Sequence, residues 1–88
     1  MINKIFTVYD QKAHAYLPPF FLPQEGMAIR TFADCVNKPD HQFNAHPEDY
    51  NLAEIGTFND ENGEITPYEI AKQYGSGLEF INSEIPET

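Results

Sequence analysis

Tyr50-Asn51-Leu52-Ala53-Glu54-Ile55-Gly56-Thr57-Phe58 reads as the central strand of the chain. It is entered through His46-Pro47-Glu48-Asp49, where Pro47 fixes the backbone. It is left through Asn59-Asp60-Glu61-Asn62-Gly63, whose glycine supplies the positive φ that a reversal needs. Both ends of the stretch are therefore punctuated chemically, and the remaining segments are placed around it.

Upstream, Ile2 to Tyr9 alternates as a strand, with Ile2, Phe6 and Val8 on one face and Ile5, Thr7 and Tyr9 on the other. Apolar groups on both faces place it inside a sheet. Asp10-Gln11-Lys12 is a turn, and Ala15 to Leu22 is a second extended segment. Pro18 and Pro19 cannot donate to a ladder, which makes that segment an edge strand or an extended arm. From Glu25 or Gly26 to Val36, the spacing of Ile29, Phe32, Ala33 and Val36 predicts a helix with one apolar stripe. Arg30 and Asp34 form an i,i+4 pair on another face, Asn37 is suited to a cap, and Pro39 stops continuation. Lys38 to Asp49 is a polar loop anchored by Phe43.

Downstream of Gly63, Ile65-Thr66-Pro67-Tyr68 returns as a short edge strand and Glu69 to Tyr74 reads as a helical turn. Gly75-Ser76-Gly77 is a joint, and Leu78 to Thr88, with Phe80, Ile81 and Ile85 among acids, reads as a tail. The expectation is an α+β domain over 1–74, with a mainly antiparallel sheet in the order β-β-α-β-β and one helix packed on a face, followed by an acidic-hydrophobic tail over 75–88.

At 88 residues the chain has room for one domain. Such a domain buries only about 60–65% of the surface its unfolded form exposes. With so small a core, a homodimer is the default expectation, and seven Phe and five Tyr provide large side chains for an interface. No apolar run approaches the roughly 20 residues that cross a bilayer, and the amino terminus lacks a signal-peptide pattern. The sequence thus points to the cytosol, and a lone Cys35 agrees with a reducing compartment. The net charge of −9 is unevenly placed: up to Ala45 the charges cancel, and from His46 on Lys72 faces ten carboxylates. Phosphate backbones are repelled by such a surface, so any nucleic-acid contact belongs to the first half.

No catalytic signature is present. His14, His41 and His46 lack zinc-ligand spacing, and no thiolates accompany them. A calcium-loop alignment on Gly63 places Asp60, Asn62, Thr66 and Glu69 at ligand positions but puts Phe58 at the first. Glu48 and Asp49 read as turn residues, and Gly56 marks a bulge or a close backbone approach instead of a phosphate loop. No metal or cofactor is expected. One constellation stands out: Tyr9, Tyr16, Phe20 and Phe21 lie in the neutral half among Lys4, Lys12 and Arg30, the components of a single-strand stacking platform. The competing assignment of these aromatics is core and interface packing.

The run Ile5-Phe6-Thr7-Val8-Tyr9-Asp10-Gln11-Lys12-Ala13-His14-Ala15-Tyr16-Leu17-Pro18-Pro19-Phe20-Phe21 resembles the opening of the small non-structural protein of gokushovirus-type microviruses, bacteriophages with single-stranded DNA genomes. Ala28-Ile29-Arg30, Phe32, Asp34, Val36, Asn37, His46-Pro47-Glu48-Asp49-Tyr50, Leu52 and Ile55-Gly56-Thr57-Phe58 are similar to its later landmarks in the same order, so the resemblance covers about residues 4 to 63. It implies a non-enzymatic protein, absent from the mature virion and acting in the cytoplasm of the bacterial host, that modulates viral DNA replication or the synthesis and packaging of single-stranded genomes. Two mechanisms are open. The protein contacts single-stranded DNA through the aromatic half, or it is an acidic adaptor for the viral replication protein or the procapsid.

Overall fold

The computed structural model describes residues 1–81 of the chain. Strand β1 (Ile2–Asp10) is followed by β2 (Ala15–Tyr16), β3 (Phe20–Leu22), helix α1 (Glu25–Val36), the short α2 (Gln42–Ala45), β4 (Tyr50–Asn59) and β5 (Glu64–Ser76). A 3-10 turn over Pro47–Asp49 leads into β4, and another over Gly77–Phe80 follows β5. The strands form one antiparallel sheet in the order β2-β1-β4-β5, with β3 pairing the same edge of β1 beyond β2. The fold is α+β in the expected β-β-α-β-β order, with β1 and β4 inside the sheet.

Register explains how the two faces differ. On β1, Phe6 and Val8 lie opposite Glu54 and Leu52 of β4, and these side chains point toward α1. There they meet Ala28, Phe32 and Val36 of the helix, Phe43 of α2 and Tyr50 in one core. Phe32 touches Phe43 and Phe80 at ring distances of 5.5 and 5.4 Å. The predicted stripe on α1 is thus the buried one, although Ala28 takes the fully buried place and Ile29 sits at the margin. Phe43 is the expected anchor. It is fixed by a turn of helix in which His41 Nδ1 accepts the Phe43 amide at 3.0 Å. Arg30 makes no ion pair with Asp34, and among the described residues the side-chain ion pairs are Lys4–Glu54 and Lys72–Glu25.

The β1–β4 register slips by one residue, so that Ile5 pairs with Gly56 and Phe6 with Glu54, leaving Ile55 as a bulge. A Cβ on Gly56 would lie 2.6 Å from the Thr66 carbonyl oxygen, so β4 and β5 approach here as only glycine permits. Gly63, at φ 78°, closes the hairpin as expected.

Two expectations are corrected downstream. Glu69 to Tyr74 is not a helical turn but part of the continuous thirteen-residue β5. Lys72 and Gln73 pair with Glu54 and Ala53, because the long β4 offers its ladder groups along its whole length, and an irregularity between Pro67 and Lys72 absorbs the surplus residues. Gly75-Ser76 is paired to β4 and is no joint. Gly77 is buried against Pro47, while Phe80 packs on Phe32 and its carbonyl accepts Asn37 Nδ2 at 2.8 Å. The segment of the expected tail up to Phe80 is therefore in contact with the body. The rest, 82–88 with Ile85, lies outside the described residues.

Candidate functional site

The sheet face turned away from α1 is formed by the alternate residues of each strand. Register assigns to it Asn3, Ile5, Thr7 and Tyr9 of β1, Tyr16 and Phe21 of β2 and β3, Asn51, Ala53, Gly56 and Phe58 of β4, and Ile65, Pro67 and Gln73 of β5. Ile5, Thr7 and Ala53 are buried there, yet they do not belong to the helix-side core. Aromatic neighbours border them: Tyr9 and Tyr16 meet at 4.8 Å, and Phe21 meets Phe58 edge-on at 5.4 Å. Tyr16 is 61% exposed, Ile65 57% and Phe21 44%. Not one of these register-assigned residues is charged, in a chain that carries nineteen Asp, Glu, Lys and Arg residues.

This geometry divides the residues expected to form a stacking platform. Tyr9, Tyr16 and Phe21 share the open face. Phe20 lies on the other side, where it stacks on Phe6 at 5.8 Å within the core. Lys4 also points to the helix side and forms an ion pair with Glu54 at 3.3 Å. Arg30 is exposed on α1, and Lys12 sits in the exposed turn after β1. The aromatics and the bases are thus largely separated.

The polar centre that sequence reasoning missed is Glu54. Glu54 is 2% exposed, and its carboxylate accepts hydrogen bonds from Tyr74 Oη at 2.7 Å, from Tyr68 Oη and from Lys4 Nζ. Burial would push its pKa up. The bonds from Tyr68, Tyr74 and Lys4 outweigh burial, and the carboxyl is held below its ordinary value. The hydroxyl partners respond in the opposite sense: Tyr68 is pushed up to about 12 by its bond to Glu54, and Tyr74 is pushed up by burial together with its two carboxylate neighbours. Tyr74 Oη also lies 2.9 Å from Glu25 Oε1, which Lys72 Nζ contacts at 2.9 Å. A phenol has one proton to donate, so Lys72 supplies the charge that lets two carboxylates share it. The available signal was parity: Glu54 follows Leu52 by two residues and so occupies a core-facing position, where a carboxylate requires partners.

A cleft of about 350 Å³ lies at the end of the sheet, lined by Asp10, Lys12, Ala13, His46, Glu48, Asp49 and Tyr50. His46, Glu48 and Asp49 bring ligand-type atoms within 4.8 Å of one another there. Both His46 and Glu48 are exposed, and the Asp10 carboxylate is committed to the amides of Lys12 and Ala13 at 3.0 and 3.2 Å. His46 helps shape the turn into β4, since its carbonyl accepts the Asp49 amide at 3.0 Å.

The fold and its surfaces define a small α+β protein whose sheet is covered by a helix on one face and left open on the other, where the register-assigned positions are uncharged. Its sequence matches the family described as Phage ORF5 protein over residues 3–80. The chain belongs to that family and is a phage protein. The match runs past residue 63 to Phe80, which agrees with the packing of Phe80 on α1. No curated protein matches the chain, and no solved structure does. Among the described residues no helix is long and apolar enough to cross a membrane.

Proposed function

We propose that this phage protein is a non-structural protein of a gokushovirus-type microvirus and modulates viral DNA replication, or the synthesis and packaging of the single-stranded genome, by binding other proteins. It acts without catalysis in the cytoplasm of the bacterial host, and its partner is the viral replication protein or the procapsid. Family membership and the landmarks quoted above support the viral role. The observation that carries the adaptor mechanism is the ion pair of Lys4 with Glu54, which withdraws one of the few bases from the aromatics. With Arg30 on the helix, Lys12 is the sole expected base left beside the open face. Against this stand the exposed acids Asp60, Glu61, Glu64 and Glu69 along the β4–β5 hairpin, a surface suited to a basic protein.

Direct contact with single-stranded DNA is the second reading, favoured by the exposure of Tyr16 beside Tyr9 near the Lys12 turn. Titrations against single-stranded DNA, duplex DNA and the cognate replication initiator at two salt concentrations separate the two. The adaptor reading expects the initiator to bind and to loosen with salt. It expects single strands to bind weakly, with a slope of log affinity against log salt of about −0.7, one phosphate contact per chain. A slope of about −2 or steeper, together with loss of DNA binding in a folded Tyr16→Ala variant, would establish the stacking reading in its place.

A further inference from the structure

We infer that the open face of the sheet is the surface on which a second copy of this chain packs. A nucleic acid needs cations on the surface it covers, and a basic protein needs carboxylates. The register-assigned positions, from Tyr16 at one edge to Ile65 at the other, have neither, Glu69 lying in the stretch of β5 between Pro67 and Lys72 that has no register partner. Two copies each carrying −9 repel one another wherever their acids meet. Across its register-assigned positions this face lets two copies approach without placing like charges together. It is also self-complementary by construction, since a two-fold axis places the same uncharged face on both sides of the contact.

Size agrees with this occupant. A ten-residue β4 spans about 33 Å, and four strand positions span about 19 Å, so the face covers roughly 600 Å². Doubled, that reaches the lower end of specific interfaces, about 1,200 Å². Two sheets stacked at about 10 Å would enclose Phe21, Phe58, Tyr9 and Tyr16 from both copies. Both α1 helices would then lie outside and the exposed Asp60 and Glu61 of the hairpin turn at the rim, free for the partner proposed above. The inference goes beyond that reading, and self-association is measured with this chain alone, so either can fail without the other.

Sedimentation equilibrium of the full chain at about 0.05 and 0.5 M salt tests it. The expected result is a mass twice 10.1 kDa that forms more readily at high salt, because screening relieves the repulsion between acidic copies. Tyr16→Glu and Ile65→Glu replace exposed side chains, so the monomer keeps its circular dichroism spectrum. Each should weaken association by at least roughly tenfold, since it buries an unpaired charge. Met27→Glu, on exposed helix α1, should leave association unchanged. A monomer at about 100 µM at both salts would overturn the inference. So would a dimer that loosens with salt, or one that withstands both face variants.

Discussion

Replacing Glu54 by leucine removes the acceptor at the centre of the polar network while keeping similar bulk. Three donors lose their partner. Lys4, whose side chain is 36% exposed, turns to water at little cost. Tyr74 retains Glu25 at 2.9 Å, whereas Tyr68 is left with no acceptor on β4. Hydrogen bonds to a charged group contribute about 1.5–3 kcal/mol each, and the removed carboxylate no longer has to be desolvated. The expected loss for Glu54→Leu is therefore about 2–4 kcal/mol, a large share of the roughly 5–15 that a domain possesses. Glu54→Gln, which keeps one acceptor oxygen, should lose about half as much. The pH dependence has a definite sign. The folded-state pKa of Glu54 lies below its ordinary 4.5, so its contribution is complete above that value and disappears as pH falls through the lower folded-state pKa. Urea unfolding of wild type should weaken on acidification below about pH 4.5, and both variants should show a shallower slope there. A leucine variant as stable as wild type with an unchanged acid slope would refute the view that Glu54 organises these tyrosines.

Two further outcomes test the packing. Phe80→Ala should cost about 2–4 kcal/mol by urea unfolding, because it opens the edge-on contact with Phe32, and truncation after Tyr74 should cost more since the Asn37 bond to the Phe80 carbonyl goes as well. Gly56→Ala should cost about 1–3 kcal/mol, read as a lower denaturant midpoint, because its Cβ meets the Thr66 carbonyl oxygen at 2.6 Å and the neighbouring strand has to yield.

The sequence was most legible where spacing and punctuation agreed. Phe32 and Val36 at helical intervals, bounded by Asn37 and Pro39, gave α1 to within a residue, and Pro47 and Gly63 bounded β4. Pro67 and the acids after it masked β5, because what holds Lys72 and Gln73 in a strand is the ladder of β4, a contact invisible in local composition. Strict alternation misplaces Phe58: its even number groups it with Leu52 and Glu54, yet the bulge at Ile55 turns it to the other face, against Phe21. The stacking constellation divided for a similar reason. Phe20 and Phe21 are adjacent, so a strand must send them to opposite faces, and Lys4 follows the parity of Phe6 toward Glu54.

Ile55 therefore acts as a spacer between two frames of alternation. Before it, even-numbered residues of β4 face the helix; after it, odd-numbered ones do, Thr57 lying opposite Lys4 as Glu54 lies opposite Phe6. A chain lacking this one residue would run Tyr50 to Asn59 in a single uninterrupted frame with every other side chain on its present side. What would disappear is the local bend and added twist that a bulge confers. Ile55 thus carries the sheet's curvature and not its inside–outside pattern, and the two properties can change independently within this strand.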